Sequence, residues 1–211
     1  MSLQNGMPIA IALATEAVVP AVLASYYAGV IRQASLEEDR QGLLGGTIHV
    51  ISKPVGVVGA IVPWNFPQCL AWFKLAPLLA AGCTVVLKPS PETALDSLML
   101  AEAISEAELP AGVVNIVPGG RELGAYLVEH PEVDKIAFTG SSAAGRKIAR
   151  RCGELLRPVT LELGGKSAGS CSTTRTSRRP PRTCSLRRCS TTARPATWAH
   201  ACSRRAHATT R

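Results

Sequence analysis

From residue 54 to residue 163 the sequence alternates between short apolar runs and longer segments with helical spacing. The apolar runs are rich in Val, Ile and Leu, as buried strands are. They lie at residues 54–62, 84–88, 113–117, 134–138 and 158–163, and helices are predicted at residues 67–81, 91–107, 121–129 and 142–151. Repeated strand–helix units predict an α/β fold, an open parallel sheet with helices on both faces.

The residues before this region predict helix and then an exposed strand. Apolar residues recur at near-helical spacing through residues 2–31, and residues 47–52 alternate as an exposed strand does. The apolar residues of this helical region are Ile9, Leu13, Val18, Val22, Tyr26 and Val30. Glu16 and Pro20 interrupt the run, and no basic leader precedes it, so we expect no membrane-spanning helix and a cytoplasmic protein.

Charge divides the chain at about residue 168. The whole chain has 23 basic and 15 acidic residues, and residues 168–211 hold ten of the arginines, no lysine and no acid. Residues 1–167 therefore carry 13 basic against 15 acidic side chains, which is ordinary for a soluble domain. The tail lacks hydrophobic periodicity, and its composition is typical of disorder. We expect one domain at residues 1–167 and a disordered basic tail at residues 168–211.

The tail invites two further interpretations, and neither is favoured. Its arginines are scattered, without lysines or stacking aromatics, so nucleic-acid binding is a weak alternative. A zinc site is also unfavoured, because the tail lacks a paired C-x₂-C unit. The candidate zinc ligands would be Cys171, Cys184, Cys189, Cys202 and His200. No metal site is predicted anywhere in the chain.

Four motifs fall where predicted strands end. Residues 63–67 read Pro-Trp-Asn-Phe-Pro, residues 87–90 Leu-Lys-Pro-Ser, residues 138–145 Phe-Thr-Gly-Ser-Ser-Ala-Ala-Gly, and residues 161–167 Leu-Glu-Leu-Gly-Gly-Lys-Ser. Parallel sheets bind ligands at the carboxyl ends of their strands, so these motifs predict one shared crevice. Neither G-x-G-x-x-G nor a Walker sequence is present, and the residues alone leave the ligand open.

In their order and spacing, these four motifs resemble the aldehyde dehydrogenase superfamily over residues 5–167. The resemblance implies an incomplete Rossmann-like cofactor domain, a nicotinamide cofactor and oxidation of an aldehyde to a carboxylic acid. It also implies that the chain begins well inside the family's cofactor domain and lacks the family's oligomer-forming strand, although the family is homo-oligomeric. The resemblance does not indicate which aldehyde is the substrate.

The resemblance implies two catalytic residues. Asn65 matches the amide that holds the oxyanion, and Glu162 matches the general base that activates water. From the residues alone, Asn65 could instead cap the following helix. Glu162 could instead form a salt bridge with Lys166 or Arg157.

The resemblance also implies eight cofactor-binding residues. They are Pro63, Trp64, Lys88, Glu92, Gly120, Gly124, Ser141 and Gly164. Lys88 matches the adenosine-ribose lysine and Ser141 the pyrophosphate-binding helix start, where it could also be a plain N-cap. The family's ribose glutamate falls at Pro91, one position before Glu92. NAD is therefore favoured over NADP if Glu92 turns inward; otherwise Glu92 is a solvated acid in the first helical turn.

The family's nucleophilic cysteine has no match in frame. Cys171 lies too close to Glu162 in sequence to take that place. Read one base earlier, the codons of residues 170–177 permit Ile-Leu-Leu-Asp-Asp-Ala-Asp-Leu, and those of residues 191–196 permit Asn-Asn-Gly-Gln-Thr-Cys. Both phrases resemble the family, which suggests a one-base deletion near codon 168 and requires AGA or AGG at Arg194. As written, the chain is expected to be inactive; the alternative is a non-catalytic dinucleotide-binding remnant or pseudogene product.

Overall fold

The computed structural model describes residues 1–165. The predicted tail, its cysteines, its arginines and the shifted reading frame lie outside these residues. The same holds for Lys166, so of the two ion-pair partners suggested for Glu162 only Arg157 is described.

A five-stranded sheet forms the centre of the described chain, and all its neighbouring strands are parallel. Its strands are β3 (Val57–Ile61), β4 (Thr84–Lys88), β5 (Val114–Ile116), β6 (Lys135–Gly140) and β7 (Val159–Leu163). The order across the sheet is β5-β4-β3-β6-β7. The predicted parallel α/β sheet is confirmed, with strand ends that coincide with the predicted ones or differ by at most three residues.

Helices cover both faces of this sheet. They are α4 (Pro67–Ala80), α5 (Ala94–Glu106) after a 3₁₀ turn (Pro91–Thr93), α6 (Arg121–Glu129) and α7 (Ser142–Glu154). On one face, Leu75 of α4 and Leu100 of α5 pack in the same core cluster as Leu87 of β4. On the other face, Leu127 of α6 and Cys152 of α7 share a second cluster with several residues of the sheet.

The strand order changes direction beside β3. From β3 the chain moves outward through β4 to β5, and then returns to add β6 and β7 on the other side of β3. Loops at the carboxyl ends of β3 and β6 therefore diverge onto opposite faces of the sheet and leave a crevice between them. Open α/β sheets bind ligands at such a switch point.

The N-terminal region is more broken than predicted. Residues 2–31 form three helices, α1 (Ser2–Asn5), α2 (Ile9–Ala14) and α3 (Val19–Gln33). The predicted exposed strand is β2 (Thr47–Ile51), which pairs antiparallel with a strand the sequence did not indicate, β1 (Glu37–Gln41). Helix α3 packs against α4, while the six apolar residues that carried the helical spacing are all exposed.

When only length and composition are considered, the expectation of no membrane-spanning helix is wrong. The segment Ile9–Gln33 is long and apolar enough to cross a membrane, and little of it is buried. The interruption that the sequence indicated is nevertheless present, because turns separate α2 from α3 around Glu16. The Glu16 carboxylate is itself buried against the start of α4.

Candidate active site

The turn that follows β3 brings Asn65 to the switch point. Strand β3 ends at Ile61 and α4 begins at Pro67, so residues 62–66 cross the carboxyl edge of the sheet. Pro67 is the first residue of α4, a position that suits proline because its missing N–H would have no partner there. Phe66, the residue before the helix, provides no side-chain cap. Asn65 is thus placed at the helix entrance, but the cap predicted as its alternative role is absent.

A cleft of about 900 Å³ opens beside this turn. Pro63, Trp64 and Asn65 line one side, and Ser141, Glu162 and Gly164 line the other. The structure thus brings six of the ten predicted site residues to one cavity. Its apolar wall consists mainly of residues on α4: Leu70, Phe73, Pro77 and Leu78.

Glu162 reaches the cleft from β7, the last strand of the described sheet. Its backbone pairs with Thr139 of β6, which also lines the cleft. The side chain is exposed. Arg157, its suggested partner, instead donates to the carbonyl oxygens of Val128 and His130. Among the described residues, Glu162 therefore forms no salt bridge, although its carboxylate is near enough to Lys74 to affect the pKa of that lysine.

Lys74 is a cleft residue that the sequence analysis missed. It is the one charged residue of α4 and its side chain is buried, with 8% of the residue exposed. Burial lowers the pKa of its ammonium group to about 8, and the nearby Glu162 carboxylate opposes that lowering. Within residues 1–165 its Nζ donates no hydrogen bond. Nothing in the sequence of α4 indicated that this lysine would be buried.

Ser141 begins α7 at the carboxyl end of β6. Its Oγ accepts a hydrogen bond from the backbone N–H of Ala144 at 3.2 Å, so the predicted N-cap is present. The first turn of any helix leaves N–H groups without intrahelical partners, and these groups attract anions. The Ser141 side chain and this helix end therefore suit a phosphate group.

A second cavity, of about 420 Å³, meets the cleft at Ser141, which lines both. Lys88 and Gly124 also line this second cavity. Lys88 is buried, and its Nζ donates to the carbonyl oxygens of Pro89 and Gly119, both at 2.6 Å. Burial lowers the Lys88 pKa, while the Glu92 carboxylate acts in the opposite direction.

Two predicted cofactor residues line neither cavity. Gly120 is the residue before α6, and a Cβ atom added to it would meet open space. Glu92 is exposed on the 3₁₀ turn and accepts a hydrogen bond from the Ser90 hydroxyl, which holds the pKa of Glu92 below its usual value. The Glu92 carboxylate is thus within electrostatic range of Lys88 but is directed to Ser90.

The cysteines of residues 1–165 are buried and lie away from the cleft. Cys69, Cys83 and Cys152 are free thiols, and none lines either cavity. Burial raises the pKa of the Cys69 thiol to about 12, and the Glu16 carboxylate adds to that effect. Burial also raises the pKa of Cys152. Such thiols are poor nucleophiles because little thiolate forms.

Comparison with known proteins agrees with this arrangement. A geranial dehydrogenase from Castellaniella defragrans is 60% identical over 168 residues, which are 80% of this chain and 35% of that protein. A chloroplastic betaine aldehyde dehydrogenase from Beta vulgaris is 56% identical over 120 residues, 56% of this chain and 24% of that protein. The chain thus spans about a third or less of the length of these relatives.

Solved structures give the same result. An aldehyde dehydrogenase from Mycobacterium tuberculosis complexed with NAD+ is 48% identical, with a TM-score of 0.74 over 78% of this chain and 34% of that one. The NAD+ complex of an aldehyde dehydrogenase from Bacillus cereus is 42% identical, with a TM-score of 0.76 over 79% and 34%. The model of the aldehyde dehydrogenase family matches residues 1–170. The chain therefore belongs to the aldehyde dehydrogenase family.

Proposed function

We propose that this chain carries the NAD-binding part and two catalytic side chains of an enzyme that oxidises an aldehyde to a carboxylic acid. The observation that supports this most is the shared cleft, in which Asn65 and Glu162 face the same space as the start of α7. NAD is favoured because the similar solved structures from M. tuberculosis and B. cereus are NAD+ complexes. NADP remains the second candidate, since Glu92 lines neither cavity.

The cofactor would extend through both cavities. Ser141 and the first turn of α7 would bind the pyrophosphate, with the backbone at Pro63 and Trp64 on the facing side. Lys88 would hold the adenosine ribose beside Gly124. Gly120 lines neither cavity, so its place near the adenine rests on the family resemblance alone. Gly164, which lines the cleft after β7, would border the nicotinamide. When bound, NAD would accept the hydride that leaves the substrate.

Asn65 and Glu162 would act on the substrate side of that cofactor. The Asn65 amide would donate to the oxygen that becomes negatively charged when the aldehyde carbonyl is attacked, a contact whose removal costs about 3–4 kcal/mol. The Glu162 carboxylate would take a proton from the water that releases the acid. Its exposed position at the cleft edge gives water access to the carboxylate.

The attacking thiolate would come from a cysteine outside residues 1–165. The described cysteines do not line the cleft, and the shifted reading frame permits Asn-Asn-Gly-Gln-Thr-Cys over the codons of residues 191–196. We therefore retain residues 1–167 as the partial domain and residues 168–211 as an out-of-frame tail. As written, the chain would bind NAD without oxidising aldehydes.

An apolar aldehyde is the favoured substrate. The cleft wall formed by Leu70, Phe73 and Leu78 offers apolar contacts, and the buried Lys74 disfavours a second cation. An apolar wall suits the substrate that gives the geranial dehydrogenase its name better than the cationic betaine aldehyde. A cytoplasmic location is part of the same proposal, and sedimentation of the chain away from membranes would support it.

The proposed reaction can be tested by sequencing the coding DNA and then restoring the reading frame. The codon of Arg194 should be AGA or AGG, and restoring one base near codon 168 should give a chain that reduces NAD with aldehyde, followed by NADH absorbance. In that restored chain Asn65→Ala should lower kcat by about 10²–10³-fold. A CGN codon at Arg194 would contradict the alignment. A folded, NAD-binding restored chain with no activity on aliphatic, aromatic or amino aldehydes would contradict the proposed reaction.

A further inference from the structure

The turn that contains Asn65 has few hydrogen bonds formed by its own residues to fix its conformation. Pro63 and Pro67 have no backbone N–H, and the start of α4 has neither a side-chain cap nor an acidic residue in its first turn. Backbone groups at a buried helix start require partners from elsewhere in the chain. The N-terminal region provides two of them.

Asn5 holds the turn on one side. Its Nδ2 donates to the carbonyl oxygen of Trp64 at 3.0 Å, across 59 residues of sequence. Its Oδ1 accepts from the backbone N–H of Met7, also at 3.0 Å. Met7 is almost fully buried. Both ends of the Asn5 amide are therefore used, which fixes the direction of the donor toward Trp64.

Glu16 holds the turn on the other side. Its Oε2 accepts from the backbone N–H of Gln68, the second residue of α4, at 2.8 Å. Glu16 is 6% exposed, and its carboxylate lies at the positive end of the helix dipole. Charge-assisted bonds of this kind are stronger than bonds between neutral groups. Glu16 thus supplies the cap that the sequence of α4 lacks.

We propose that Asn5 and Glu16 are positioning residues that jointly orient the Asn65 amide toward the cleft. One bond fixes the residue before Asn65 and the other fixes the residue three positions after it. Residues 64–68 are therefore held at both ends, by the last residue of α1 and by a residue of the turn between α2 and α3. The effect of these two bonds on catalysis rests on the proposed oxyanion role of Asn65.

The orientation of the Asn65 side chain can be followed directly by NMR, because the chain has few asparagines. It contains three asparagines, Asn5, Asn65 and Asn115. Selective ¹⁵N labelling of asparagine therefore gives three side-chain NH₂ signals, which single substitutions assign. The measurement needs neither cofactor nor aldehyde. A result that contradicts the positioning role of Asn5 and Glu16 would therefore leave the proposed reaction untested. Absence of aldehyde oxidation would likewise not affect the positioning role.

Asn5→Asp is the sharpest variant, because it removes the donor to Trp64 and keeps an oxygen for the Met7 N–H. Asn115→Asp is the matched control, since it removes a similar bond from Asn115 Nδ2 to the Gly112 carbonyl at 2.8 Å, far from the turn. We expect the Asn65 signal to shift or broaden in Asn5→Asp and to stay in place in Asn115→Asp.

Glu16→Gln gives a second, milder perturbation, because glutamine keeps an acceptor oxygen for the Gln68 N–H and loses the charge. We expect the Asn65 signal to shift here as well, while the Asn115 signal stays at its folded position. An unmoved Asn65 signal in Glu16→Gln and in Asn5→Asp would overturn the proposal. If Asn5→Asp unfolds the chain, the result from Glu16→Gln decides.

Discussion

Glu162 and Lys74 face the same cleft, and the carboxylate of Glu162 opposes the loss of charge that burial imposes on the Lys74 ammonium group. The two side chains reach the cleft from different layers, Lys74 from α4 and Glu162 from β7. A buried lysine without a hydrogen-bond partner costs stability. The cleft therefore contains a desolvated ammonium group beside a carboxylate.

Lys74→Met should stabilise the chain at neutral pH. The pKa of Lys74 falls from 10.5 to about 8 on folding, which corresponds to a penalty of about 3 kcal/mol when the group is charged. The folded chain binds fewer protons than the unfolded chain between these two values. Stability of the unsubstituted chain should therefore rise as pH increases from about 8 to 10.5, and the penalty is present in full below pH 8.

Urea unfolding of the chain and of Lys74→Met across this pH interval measures the effect. The variant should be more stable at pH 7 and should lack the rise. Lys147→Met, at an exposed lysine of α7, is the control and should keep the rise. Equal pH dependence in the chain and in Lys74→Met would show that Lys74 is not desolvated.

Ser141→Ala should weaken both the fold and the cofactor site. Loss of the Ser141 Oγ bond to the Ala144 N–H removes a helix cap, which costs about 1 kcal/mol. The same change removes a hydroxyl from the junction of the two cavities. Thermal unfolding with and without NADH separates the two effects, because the variant should unfold earlier and gain less from NADH. Ser105→Ala, at an exposed serine of α5, should change neither quantity.

Cys69 should resist alkylation in the folded chain. Its pKa is raised to about 12 by burial and by the Glu16 carboxylate, so almost no thiolate exists at pH 8. Peptide mass spectrometry after iodoacetamide treatment should find Cys69 unmodified in buffer and modified in urea. Rapid modification in buffer would show either an open N-terminal region or a thiolate, and would contradict the burial of Cys69.

The parallel sheet could be predicted from the sequence because its strands are short runs of apolar residues. Runs such as residues 84–88 are apolar on both sides, and a strand with two buried faces requires that pattern. Strand β1 carries no such signal, since Glu37–Gln41 is entirely polar and becomes a strand through pairing with β2. The strand order was also out of reach, because pairings such as β3 with β6 depend on contacts between distant segments.

The site was predictable where motif and strand end coincide, as at Asn65, Ser141 and Glu162. Lys74 was missed because its importance comes from burial, which a single helical lysine does not reveal. Asn5 was not identified from the sequence as a site residue, because its bond to Trp64 spans 59 residues and exists only in the folded chain. The roles of these residues remain predictions.

Titration of the chain with NADH, followed by fluorescence, tests the central claim most directly. We expect saturable binding of NADH to one site. Lys88→Met should lower the affinity about tenfold or more, because Lys88 is a buried charged donor that lines the second cavity. Asn65→Ala should leave the affinity nearly unchanged, since its proposed partner is the substrate oxygen. No saturable binding by a chain that unfolds cooperatively, or binding indifferent to Lys88→Met and Ser141→Ala, would contradict the account.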